Sequence, residues 1–153
     1  MTRPVTDDVV VFRPRRARQV IYPVVALVVA AMVVGAVVVP STGPTPFTLL
    51  DRLAVVALGL VIAAGLHRLA SVRVVTGPAG IEVVNIARRT PLAWAQVVNV
   101  RLSRDDPWVM LDLSDGDSLA AMGIQQADGA YGVEQARALA RLVQEHSRTA
   151  RDD

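Results

Sequence analysis

Few side chains in this sequence are of types that do chemistry, and their spacing narrows the options. The only histidines are His67 and His146. One sits at the edge of an apolar run and the other near the end of a polar helical stretch. Neither has a nucleophile or a ligand partner close in sequence. Cys is absent, which removes disulfides, thiol catalysis and Cys-based metal sites. The run Asp112-Leu-Ser-Asp115-Gly-Asp117 echoes the spaced carboxylates of a calcium loop. It lacks the bidentate Glu that completes one. The same residues read more simply as a tight turn, because Asp-Gly accepts positive φ. There is no phosphate-cradling Gly loop and no Ser/His/Asp constellation. The sequence therefore predicts no enzyme, no cofactor and no metal, and identifies no small-molecule substrate.

The residues with binding chemistry are Arg88, Arg89, Arg101 and Arg104. On one face they would meet anionic lipid or a protein partner, each exposed Arg being worth ~1 kcal/mol near an anionic surface. The competing reading is a solvated sheet edge whose charges discourage aggregation. All sixteen basic residues are Arg. With the wealth of Val and Ala, that reads as the codon bias of a GC-rich bacterial genome. The net charge is only +2, so the basic isoelectric point reflects Arg in place of Lys and predicts no nucleic-acid partner.

The elements that must position these residues begin with an apolar run, 20–39, which contains no charged residue. As a helix it spans roughly 30 Å, the thickness of a bilayer's hydrocarbon core. Each Val, Leu or Ile at a helix centre favours insertion by ~0.3–0.6 kcal/mol, whereas one Arg or Asp would cost ~2.5–3.5. The alternatives are a buried helix of a soluble protein and a cleaved signal peptide. Against the latter, the run exceeds the usual h-region and no A-x-A-like site follows. Three prolines and a glycine within 40–46 force a turn. A second apolar stretch, about 47–70, has a clean core of 53–66, with Asp51 and Arg52 at one end and His67 and Arg68 at the other. It reads as a second span, or alternatively as a re-entrant segment. Arg52 can snorkel and Asp51 can pair with it. The glycines form no GxxxG pair, so no dimer face is predicted.

The lead, 1–19, carries five Arg. His67, Arg68 and Arg73 follow the second span, and the connecting turn has no Arg before Arg52. The asymmetry predicts a multi-pass protein of the bacterial inner membrane with both termini cytoplasmic.

After residue 70 the period changes to two. Short β-branched runs at 72–76 and 81–86 flank the turn Gly77-Pro78-Ala79-Gly80. Ala87-Arg88-Arg89-Thr90-Pro91 reads as a polar break, since Pro cannot donate to a sheet. Over 96–104, Val98, Val100 and Leu102 fall on one predicted buried face. Strands at 108–113 and 118–124 flank the Asp115-Gly116 turn, and 125–132 reads as a loop. Residues 133–147 form an amphipathic helix with Ala136, Leu139, Ala140 and Val143 on its apolar stripe. A tail, 148–153, should fray. The expected fold is α+β: a two-helix transmembrane hairpin (20–70), then a small antiparallel sheet or partial barrel capped by a C-terminal helix (71–147).

This pattern resembles the bacterial pleckstrin-homology-like (PH-like) membrane proteins, and more narrowly the actinobacterial low molecular weight protein antigen 6 group. The resemblance is carried by 74–83 (VVTGPAGIEV) and 91–97 (PLAWAQV), and continues through the Trp108 strand, the Asp115-Gly116 hairpin and the closing helix. It implies a non-catalytic module, with Trp94 packing at the start of the third strand. A full PH-like barrel has seven strands, whereas five are read after the second span. Residues 9–12 offer another; otherwise the barrel is abbreviated. Phosphoinositide-type PH domains use basic residues around the first strand turn. Gly77-Pro78-Ala79-Gly80 has none, so specific inositol-phosphate binding is not expected. The leading expectation is a PH-like interaction module held at the cytoplasmic face of the membrane, where it binds a membrane or membrane-associated protein. The alternative is electrostatic binding of anionic lipid through the four arginines.

Overall fold

A short apolar run at one end of the chain finds its partner far away in sequence. In the computed structural model, which describes residues 9–40 and 46–152, strand β1 (Val10–Phe12) pairs antiparallel with β2 (Arg73–Gly77). Phe12 lies opposite Val74, Val11 opposite Val75 and Val10 opposite Thr76. The sheet continues through β3 (Gly80–Val84) to β4 (Arg89–Leu92), in the order β1-β2-β3-β4. A second antiparallel sheet holds β5 (Val97–Arg101), β6 (Trp108–Leu113) and β7 (Ser118–Gln125). Helix α3 (Ala130–Asp152) follows. Phe12, Val74, Ile81, Val83, Val109, Leu111, Ile124 and Leu139 belong to one core, shared by both sheets and α3.

The described residues thus hold seven strands, two more than the five read after residue 70. One is β1, which the sequence offered as a candidate. The other is β4, which the sequence presents as a polar break. Pro91 is tolerated there because β4 is an edge strand, where a missing N–H leaves no ladder bond unmade. Inside β5 the face assignment shifts. Val97 is buried and Val98 is 65% exposed, because the β5–β6 register slips between Val97 and Asn99. A bulge of this kind puts an extra residue into one strand and turns its side chain out. Val100 and Leu102 then pack against the core as predicted.

β7 joins the two sheets. Its pairing with β6 jumps from Val109–Ala121 to Trp108–Gln125. The residues between them turn towards the first sheet. A Cβ on Gly123 would lie 2.6 Å from backbone atoms of Arg73 and Val74. Only glycine lets the backbones approach so closely. The Asn85 amide fixes the crossing: its Nδ2 donates to the Ala120 carbonyl (2.7 Å) and its Oδ1 accepts from the Met122 N–H (3.1 Å).

The chain divides into two units: residues 1–16 with 71–153, and residues 17–70. The second consists of α1 (Arg15–Val38), apart from its first two residues, and α2 (Leu49–Ala70). Both helices are long and apolar enough to cross a membrane. They pack antiparallel: the rings of Tyr22 and His67 lie 6.1 Å apart, and Met32 packs on Gly59. Arg52 donates to the carbonyls of Ala36, Val37 and Val39, the last at 2.8 Å, and so caps the α1 C-terminus. Asp51 is engaged with Thr48 in a reciprocal N-cap of α2. Most of the predicted turn at 40–46 lies outside the described residues.

Candidate functional site

The four arginines of interest fall into two pairs on different sheets. Arg88 and Arg89 lie at the turn into β4, and both are exposed. Arg101 ends β5, and Arg104 lies in the connection to β6. Arg101 is engaged with two carboxylates, Asp106 at 3.4 Å and Asp112 at 3.3 Å. Its charge is thus met by one carboxylate of the β5–β6 connection and one of β6. Among the described residues, Arg88 and Arg89 have no acidic partner.

Asp112 shows why the calcium echo is a hairpin. Its carboxylate accepts from the Ser118 hydroxyl (2.9 Å), the Asn99 amide (3.1 Å) and Arg101 Nε. The Ser118 bond, then Asn99 and then Arg101, holds the Asp112 carboxyl below the ordinary carboxylate range. Gly116 takes φ +92°, and the Asp117 N–H donates to Asp115 Oδ1. Among the described residues, no group of His, Asp and Glu is arranged to hold a metal ion.

Two residues have roles the sequence reading did not assign. Buried Asp128 accepts from the backbone N–H groups of Arg15 (2.9 Å) and Arg16 (2.8 Å). It caps the first turn of α1 from 112 positions away, and so the helix starts at Arg15 rather than at residue 20. The Arg15 guanidinium lies 3.7 Å from the centre of the Tyr131 ring. His146 stacks on Trp94 at 3.9 Å, with rings 9° from parallel. Trp94 itself begins a 3-10 turn ahead of β5 rather than the strand, and its Nε1 donates to the Gly77 carbonyl (3.0 Å). Trp94 packs against the core, as the resemblance implied.

At the Gly77–Gly80 turn the first sheet carries an apolar groove of about 250 Å³, lined by Val9, Pro78, Ala79 and Pro91 among others, with Glu82 as its one charged residue among the described residues. This is the opposite end of the same strands from Arg73 and Arg89.

The sequence model of a family described as "Bacterial PH domain" matches residues 71–143. Uncharacterized proteins of Mycobacterium bovis and Mycobacterium tuberculosis are 32% identical over 130 residues, covering 84% of this chain and 84% of each relative. An alignment of 130 residues cannot fit within 71–153 and therefore takes in part of the apolar helices. No solved structure matches the chain.

Proposed function

Since this chain belongs to the bacterial PH-domain family and carries two apolar helices between the first two strands of its sheet, we propose that it is a non-enzymatic interaction module anchored in the bacterial cell membrane. α1 and α2 span the bilayer, both termini lie on the cytoplasmic side, and the PH-like unit binds a membrane or membrane-associated protein there. The observation that carries the reading is the β1–β2 pairing across the helical pair. Strands that pair must lie on one side of a bilayer, so the segment between them crosses it an even number of times. Two helices of 24 and 22 residues reach roughly 36 and 33 Å, enough for one crossing each. The arginine-rich lead supports a cytoplasmic location for that side. Tethering raises the effective concentration for anything else on the same membrane, so weak contacts suffice. The apolar groove at the Gly77–Gly80 turn is where we place an apolar segment of the partner.

The absence of Cys makes a clean test. Ser114→Cys, on the exposed β6–β7 turn, should resist a membrane-impermeant maleimide in intact cells and react once the inner membrane is opened. The protein should also stay with the membrane pellet under alkaline extraction. Labelling in intact spheroplasts would overturn the orientation, and release by alkali the anchoring. A photocrosslinker at Ala79 should give one discrete protein adduct in native membranes, and Pro78→Arg should remove it. An adduct of the same size from a crosslinker at Ser114 would argue against the groove.

A further inference from the structure

β1 ends three residues before α1 begins, and β2 begins three residues after α2 ends. β1 and β2 are antiparallel neighbours, so both junctions lie at one end of the four-stranded sheet. The same end holds Val84 of β3 and Arg89 of β4. The Arg73 Cα lies within about 11 Å of the Ala70 Cα by chain length alone. On the reading above, this end of the sheet faces the headgroups.

Register places Arg73, Val84 and Arg89 side by side on one face. The two arginine Cα atoms are roughly 10 Å apart, two strand spacings. Arg13 leaves β1 at this end and is exposed. Beyond the row, the β3–β4 turn projects Ile86, Ala87 and Arg88, all exposed, with Ile86 at 40%. Among the described residues, the nearest acid on that face is Glu82, one row further from the end. The turn is held in shape. The Asn85 N–H donates to the Arg88 carbonyl (2.9 Å), and the Asn85 side chain is bonded to β7 at both its amide atoms.

We propose that this turn docks on acidic phospholipid headgroups of the bilayer in which α1 and α2 sit, an inference that rests on the membrane-spanning part of the reading above. Arg13, Arg73, Arg88 and Arg89 engage the phosphates, which guanidinium groups bind with two parallel N–H donors. Ile86 enters the boundary between headgroups and acyl chains. Because the turn is already ordered, little conformational freedom is lost on contact. Arg101 and Arg104 take no part.

The test uses the full chain reconstituted in vesicles of phosphatidylcholine, with or without phosphatidylglycerol. An environment-sensitive dye is attached to Ile86→Cys or, as a reference, to Ala79→Cys. With phosphatidylglycerol, the Ile86 dye should be quenched by spin-labelled lipid while the Ala79 dye stays in water. Quenching at Ile86 should fade in about 1 M salt, where charge interactions reach only ~3 Å. Adding Arg88→Gln and Arg89→Gln should lower the docked-to-free ratio roughly thirtyfold at low salt. Equal quenching in neutral vesicles would overturn the role of acidic headgroups. A water-exposed Ile86 dye in vesicle-inserted protein, as expected if the turn meets an acidic protein surface instead, would overturn the docking. Failure of the protein to co-float with vesicles would overturn the membrane anchoring itself, a separate result.

Discussion

Asp112 gathers three donors on an exposed sheet face, and its carboxyl titrates below the ordinary range because each donor favours the charged form. A carboxyl whose folded pKa is depressed contributes stability that is present above its unfolded value and is lost as pH falls through the folded one. Acidification from about pH 4 downward should therefore weaken the β5–β6–β7 sheet. Asp112→Asn should flatten that acid limb, and thermal unfolding against pH in detergent measures it. Equal acid slopes for both proteins would dismiss the assignment. Gly123 is a steric case. Its absent side chain leaves room for backbone atoms of Arg73 and Val74, which cannot swing aside as a flexible side chain can. Gly123→Ala should destabilise by ~1–3 kcal/mol, the usual cost of overpacking. The same substitution at Gly116, where nothing lies within 4 Å of an added Cβ but φ is +92°, should cost only the backbone term, ~1 kcal/mol.

Among the elements, α1 shows how a boundary escapes local reading. The apolar run explains why 20–39 is helical, but the helix begins at Arg15 because a carboxylate distant in sequence accepts the first free N–H groups. Asp128→Ala should cost ~0.5–2 kcal/mol, the usual loss of an N-cap. Hydrogen exchange at the Arg15 and Arg16 amides should quicken. Unchanged exchange there would mean that the cap contributes nothing. The α1–α2 pair, the β2–β3 turn, the Asp115-Gly116 hairpin and the apolar stripe of α3 were legible because each is written in neighbouring residues. Leu139 and Val143 are buried where the stripe placed them. What stayed hidden depends on distant contacts. Among these are the tolerance of Pro91 at a sheet edge, the bulge that turns Val98 out, and the capture of Arg101 by Asp106 and Asp112. Four arginines that look equivalent in sequence separate into an answered pair member and an unpaired turn. Helix α3 extends through Asp152.

For the molecule as a whole, the helical pair is an insertion between two neighbouring strands rather than an anchor attached ahead of a finished domain. The family match begins at residue 71, yet the sheet and core draw on residues before it. Phe12 is buried among Val74, Ile81 and Val83, and β1 covers the edge that β2 would otherwise leave open. A fragment starting at Ser71 therefore keeps the matched stretch and loses a strand. It should unfold at lower denaturant concentration and aggregate through its bare β2 edge. Joining residues 9–16 to residue 71 through a short Gly/Ser linker replaces the helices by a simple connection between adjacent antiparallel strands. That soluble protein should exceed the fragment in stability by ~3–5 kcal/mol, the scale of a buried Phe. Phe12→Ala within it should return most of the difference. Equal stability of the fragment and the linked protein would mean that β1 adds nothing to the fold. Both ends of the helical pair would then no longer be tied to one side of a membrane by the sheet.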